Sequence, residues 1–284
     1  MAVAALSWVN AALFAAQLYV NGAMSRNIGP MSRKHETFIT PAPYAFSIWG
    51  LIYTLLTISV IVDCGCPTLS IYAGSAHATL LRAVFAVSCV MNLAWIVLFS
   101  SEYINVATAV LVVLWVALFT LYVHIINHRR ERGFSYTNYF LGELPIITYF
   151  AWTCAATLIS FAVTFQDFAQ DYLSLTSYLV LVAILSVATL SAVIFEGELA
   201  FGFVAIWALR AISVKELNLE QTVEQTSLSV RACAALSATI IGAFMVITVI
   251  LRVLNRHRGY QQLERAMPFL SEKNGHLDYG TSSL

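Results

Sequence analysis

Thr40-Pro41-Ala42-Pro43-Tyr44-Ala45-Phe46-Ser47-Ile48-Trp49-Gly50-Leu51-Ile52-Tyr53 is the stretch on which the reading of this chain turns. Two prolines stiffen the approach to a helix and suit its first turn, where a missing N–H costs least. The helix opens on Tyr44, Phe46, Trp49 and Tyr53 and runs on as an apolar segment. That segment reaches the roughly 20 residues needed to cross a bilayer. Such a helix presents flat π surfaces, either to a flat apolar ligand or to its neighbours in a bundle.

Outward from this stretch the chain keeps the same character. Of its 284 residues, 60% are hydrophobic and 11% charged, where soluble domains run about 45–50% and about 25%. No soluble core of this length absorbs that much apolar surface. The fold class is therefore all-α, a polytopic transmembrane helical bundle. Eight spans are expected: Ala2–Val20, Tyr44–Val62, Ala78–Ser100, Ile104–Ile126, Tyr139–Phe165, Leu175–Phe195, Leu199–Val214 and Ala232–Leu254. The seventh is the shortest and carries Arg210. Asn21–Pro43 reads as a long loop, and the polar residues 255–284 as a disordered tail.

Charge sets the orientation. The formal net charge of zero argues against nucleic acid as a partner. Arg82, Arg129, Arg130, Arg132, Arg252, Arg256, Arg258, Arg265 and Lys273 fall on the face that also carries the N-terminus, against Arg26, Arg33, Lys34, Arg210, Lys215 and Arg231 on the other, a modest bias that favours both termini in the cytosol. The first span lacks the basic region of a cleaved signal peptide and is expected to be retained. Five scattered cysteines make no disulfide scaffold, and Cys64 and Cys66 read as reduced juxtamembrane thiols. In the tail, Tyr260-Gln261-Gln262-Leu263 fits the short aromatic-x-x-bulky pattern read by sorting adaptors.

Several chemistries lack their residues. Lys34, Lys215 and Lys273 all lie outside the spans, so no lysine is placed for a retinal Schiff base. H-E-x-x-H and G-x-S-x-G are absent. His124 and His128 share one helix face at i, i+4, but no third metal ligand lies near them in sequence. Glu143, ahead of Pro145, is the foremost candidate for a functional carboxylate, with helix capping as its bland role. No metal site and no catalytic residue is assigned.

The positive signal is tryptophan. Trp8, Trp49, Trp95, Trp115, Trp152 and Trp207 each fall in a different span. An interfacial belt would put them at the very ends. Trp49 and Trp95 lie on spans running in opposite directions, which sets them at similar depth.

Three segments together resemble the translocator protein family, the tryptophan-rich sensory proteins (TspO/MBR). They are Pro41-x-Pro43-Tyr44 with Trp49 and Tyr53, then Asn92-Leu93-Ala94-Trp95 with Phe99, and Tyr149-Phe150-Ala151-Trp152 with Ala155, Ala156 and Thr157. The resemblance covers about the first five spans. Ile96-Val97 stands where the family has Pro-Pro, and the sterol-associated Tyr-x-x-Trp-Arg has no counterpart at Phe161–Phe165. The three later spans resemble those of longer, divergent members. The resemblance implies three units: a five-helix bundle over residues 1–165, three additional helices over 166–254, and the tail. It also implies a cavity within the five helices, with the loop after the first helix as its lid.

What the resemblance implies for function is a membrane receptor or carrier, not an enzyme, for a flat hydrophobic ligand. The ligand would be a tetrapyrrole such as protoporphyrin or another aromatic or sterol-like molecule, bound without a covalent cofactor. Ligand-binding residues would be Tyr44, Trp49, Tyr53, Asn92, Trp95, Trp152 and Ala156. The partners are that small ligand and the lipid bilayer, with a homodimer left open. A secondary transporter of a small metabolite and a porphyrin-degrading membrane enzyme are the alternatives.

Overall fold

The structure is a computed structural model that describes residues 2–217 and 221–274, with side chains over 5–217 and 224–255. Eight long helices follow one another: α1 (Ala2–Lys34), α2 (Ile48–Gly65), α3 (Ala78–Ser100), α4 (Ile104–Arg132), α5 (Leu144–Ala169), α6 (Leu175–Ser191), α7 (Leu199–Ser213) and α8 (Gln221–Asn274). They match the eight expected spans in order. Six helical segments are long and apolar enough to cross a membrane, which makes this a multi-pass integral membrane protein. α7 is apolar but has 15 residues, about 22 Å at 1.5 Å per residue. α1 is long enough but is not among the six, because its inner face carries the buried polar residues Ser7, Asn10, Gln17 and Asn21.

Two expectations are corrected. Asn21–Pro43 is not a loop, since α1 continues to Lys34 straight through Gly29-Pro30. Ser7, Asn10, Phe14, Gln17, Asn21 and Ile28 recur at helical spacing on a buried stripe, and this packing carries the helix past the proline. Only His35–Ala42 remains as a connecting strap. The last helix likewise runs beyond Leu254 to Asn274, through part of the segment read as disordered. Residues 275–284, and the side chains of the Tyr260 motif, lie outside the described residues.

Helices α1, α3, α4, α5 and α2 contact one another in a ring. α5 is the central member: 72% of its apolar window is buried, against 22–39% in the other five spans. α7 packs on α5, and α8 packs on α6 and α7. Two polar clusters tie one end of the bundle. Near the ends of α2 and α3, Arg82 Nε donates to Asp63 at 2.9 Å while its guanidinium lies 4.7 Å from the Tyr72 ring. At the same face, Arg129 on α4 forks between Glu143 and Glu198.

Candidate ligand-binding site

Three tryptophans from three helices meet at the strap end of the ring. The Trp49 ring on α2 lies 6.1 Å from that of Trp95 on α3 and 6.4 Å from that of Trp152 on α5. Helical spacing extends the set: Phe99, one turn after Trp95, stacks on it at 5.5 Å and 15°. Phe46, one turn before Trp49, meets Trp152 edge-on at 6.4 Å. Together with Ala156, these rings wall a crevice closed by His35, Thr40 and Pro41 of the strap. The crevice holds a cavity of about 50 Å³. That is room for about three or four waters. The indole N–H groups of Trp95 and Trp152 are buried and find no acceptor.

Of the seven residues expected to bind ligand, Trp49, Trp95, Trp152 and Ala156 line this crevice. Tyr44, Tyr53 and Asn92 do not. Tyr44 lies in a 3₁₀ segment, Pro43–Ser47, whose three residues per turn throw it out of line with the α-helical positions that follow. It is 43% exposed and meets Trp207 edge-on at 5.1 Å. Tyr53 and Asn92 sit one turn further from the strap than the tryptophans of their own helices, and so does Tyr149 on α5. These three, with Gln17 and Asn21 of α1, form a buried polar layer beneath the aromatic one. Asn21 Nδ2 donates to Asn92 Oδ1 at 2.9 Å, and the Tyr53 hydroxyl donates to the same oxygen at 3.4 Å. Asn92 therefore supports the floor of the crevice instead of reaching into it.

Sequence reasoning missed Ile28, His35 and Thr40, which became visible only once α1 and the strap were placed. It also left Phe46 and Phe99 out of the site, although their spacing from Trp49 and Trp95 puts them on the same helix faces. Trp115 and Trp207 lie elsewhere: Trp115 Nε1 donates to Cys154 Sγ at 3.2 Å and Trp207 Nε1 to the Ala45 carbonyl at 3.1 Å.

The strap is fastened from the end of α5 and from the segments that follow it. Phe38, 2% exposed, stacks on Tyr172 at 4.5 Å and packs on Tyr178 at 5.0 Å. Gln166 Nε2 donates to the Glu36 carbonyl at 2.8 Å, and Lys215 pairs with the Glu36 carboxylate. The Ala42 amide donates to the Ala211 carbonyl of α7 at 2.9 Å. Above the crevice, Lys34, Gln166, Asp167 and Asp171 surround a polar vestibule that shares His35 and Val163 with it.

His124 and His128, weighed as a metal pair, lie with ring centroids 5.2 Å apart, and His124 Nε2 hydrogen-bonds the Ile71 carbonyl. Glu143, the foremost candidate carboxylate, is held by Arg129.

No curated protein and no solved structure matches the chain. The family model described as TSPO-like protein matches residues 3–250. That match runs past the first five spans, to which the sequence resemblance was confined, and takes in the helices that fasten the strap. An aromatic crevice among the first five helices and a family match across all eight lead to one conclusion: the chain belongs to the TSPO-like family.

Proposed function

We propose that this protein is a membrane receptor or carrier, not an enzyme, for a flat hydrophobic ligand of the tetrapyrrole or extended aromatic class, with both termini cytosolic. The observation that carries the reading is the convergence of Trp49, Trp95 and Trp152 on one strapped crevice. Parallel stacking on such rings is worth about 1–3 kcal/mol per contact. The free indole N–H groups of Trp95 and Trp152 suit a ligand with hydrogen-bond acceptors. His35 is the one titratable side chain in the lining, which supports binding over proton chemistry. Room for about three or four waters is far too little for a tetrapyrrole, so binding on this reading requires the strap to lift.

Protoporphyrin titrated into the purified protein in detergent tests the proposal through quenching of tryptophan fluorescence. Saturable quenching that weakens in Trp152→Ala supports it. Absence of saturable binding removes it and leaves the metabolite transporter as the better reading.

A further inference from the structure

A second groove, of about 510 Å³, lies at the opposite end of the bundle from the strap. Its walls come from the ends of α4, α6 and α8 and the approach to α5, all at one membrane surface. Two π-helical turns, Tyr139–Glu143 and Ala192–Glu196, border it. Such turns often mark functional sites.

Most of its charges are already spent. Arg129 donates from Nε to Glu143 at 2.8 Å and from Nη1 to Glu198 Oε1. Arg130 Nη2 donates to Glu196 at 2.6 Å. Two groups are left over. Glu198 is 1% exposed, lines the groove, and its Oε2 has no hydrogen-bond partner. Arg252 donates to the Glu196 carbonyl at 3.2 Å and has no carboxylate partner among the described residues. Its guanidinium lies against Gly197, where a Cβ would collide with it and where φ is +66°. The free carboxylate oxygen and the free guanidinium are thus held beside adjacent residues of one turn.

We infer that this groove binds a phosphoethanolamine group, the ammonium donating to Glu198 Oε2 and the phosphate accepting from Arg252. Charge balance selects a zwitterion. The cluster holds Arg129, Arg130 and Arg252 against Glu143, Glu196 and Glu198, three positive and three negative. A net anion or cation would unbalance it. Donor chemistry selects a primary ammonium over choline. Glu198 Oε2 needs an N–H, and two of the three rings in the lining already face a cation: Arg129 lies 5.3 Å from the Tyr139 ring and 5.8 Å from that of Phe134. The exposed rings of Phe134 and Tyr136 mark the level of lipid headgroups. A membrane phospholipid and free glycerophosphoethanolamine offer the same chemistry.

The test is thermal stability of the full chain in detergent with added phosphatidylethanolamine, phosphatidylcholine or phosphatidylglycerol of identical acyl chains. A parallel titration uses glycerophosphoethanolamine. The ethanolamine lipid is expected to stabilise at lower concentration than the other two. Arg252→Gln should raise that concentration by about tenfold or more, as loss of a charge-assisted contact does. Glu198→Gln should cancel the preference for ethanolamine over choline. Stabilisation by the soluble compound assigns the group to a metabolite, and stabilisation by the lipid alone assigns it to the bilayer. Equal shifts with all three lipids and none with the soluble compound, or full preference retained in Arg252→Gln, overturn the inference. Arg252 is exposed and its side chain touches a backbone carbonyl, so its variant reports even where Glu198→Gln fails to fold.

Discussion

Phe38 and Tyr172 stack face to face, 4.5 Å apart and 9° from parallel, and through this pair the connection after α6's neighbour α5 holds down the strap over the crevice.

If that stack keeps the strap seated, its loss should loosen the strap without unfolding the bundle. An aromatic pair contributes about 0.5–1.5 kcal/mol beyond area burial. Tyr172→Ala should therefore raise hydrogen exchange at the amides of residues 37–40 and 42 by roughly 2- to 13-fold. Amides in the middle of α5 should stay unchanged. Equal acceleration in both regions would mean global destabilisation.

Replacing Trp49, Trp95 or Trp152 with Ala should weaken protoporphyrin binding by roughly 5- to 150-fold, since each lost stack removes about 1–3 kcal/mol. Trp115→Phe should leave affinity within about twofold, because Trp115 lies outside the crevice and surface-like changes away from a site are usually small. Isothermal or fluorescence titration separates these outcomes.

Asn92 should behave in the opposite way. Its Oδ1 accepts from Asn21 and Tyr53 in the buried layer. Asn92→Leu strands those donors at a cost of about 1–3 kcal/mol each. The expected result is a clear drop in melting temperature, with ligand affinity nearly unchanged once both are measured on folded protein. A selective loss of affinity would instead return Asn92 to the binding surface.

Glu198 gives a pH signature. Burial raises its carboxyl above the ordinary range, outweighing the contact with Arg129. The folded protein therefore holds this proton at pH values where the unfolded chain has released it. Its contribution is full below the ordinary carboxylate value and declines as pH rises through the raised value, at most by about 1.4 kcal/mol per pH unit. Melting temperature against pH should show that decline in the natural protein and a flatter profile in Glu198→Gln.

The helices were legible because bilayer thickness imposes a length and an apolar composition that the chain displays openly. α1 beyond Val20 was not, because Gln17, Asn21 and Gly29-Pro30 read as the end of a span when taken without their partner α3. The tryptophans pointed to the crevice because helical periodicity fixes which residues share a face. Tyr44, Tyr53 and Asn92 were misplaced for two physical reasons. A 3₁₀ turn rotates Tyr44 away, and a shift of one helical turn separates the aromatic layer from the polar one. Glu198 and Arg252 could not be brought together from sequence, since their meeting in one groove depends on four helix ends converging at one surface.

The amide of Ala42 reaches the carbonyl of Ala211, and none of the contacts that fasten the strap from Gln166, Tyr172, Tyr178, Ala211 or Lys215 involves the three tryptophans. If the crevice binds as proposed, selectivity and admission sit on different parts of the chain. Substitutions on the rings would change which molecule is held, and substitutions at the strap's fastenings would change how readily it is admitted. When binding waits on a minor open form, apparent affinity is the intrinsic affinity scaled by that form's population. A looser fastening would thus tighten equilibrium binding with no change to the rings, and the two properties could be tuned separately.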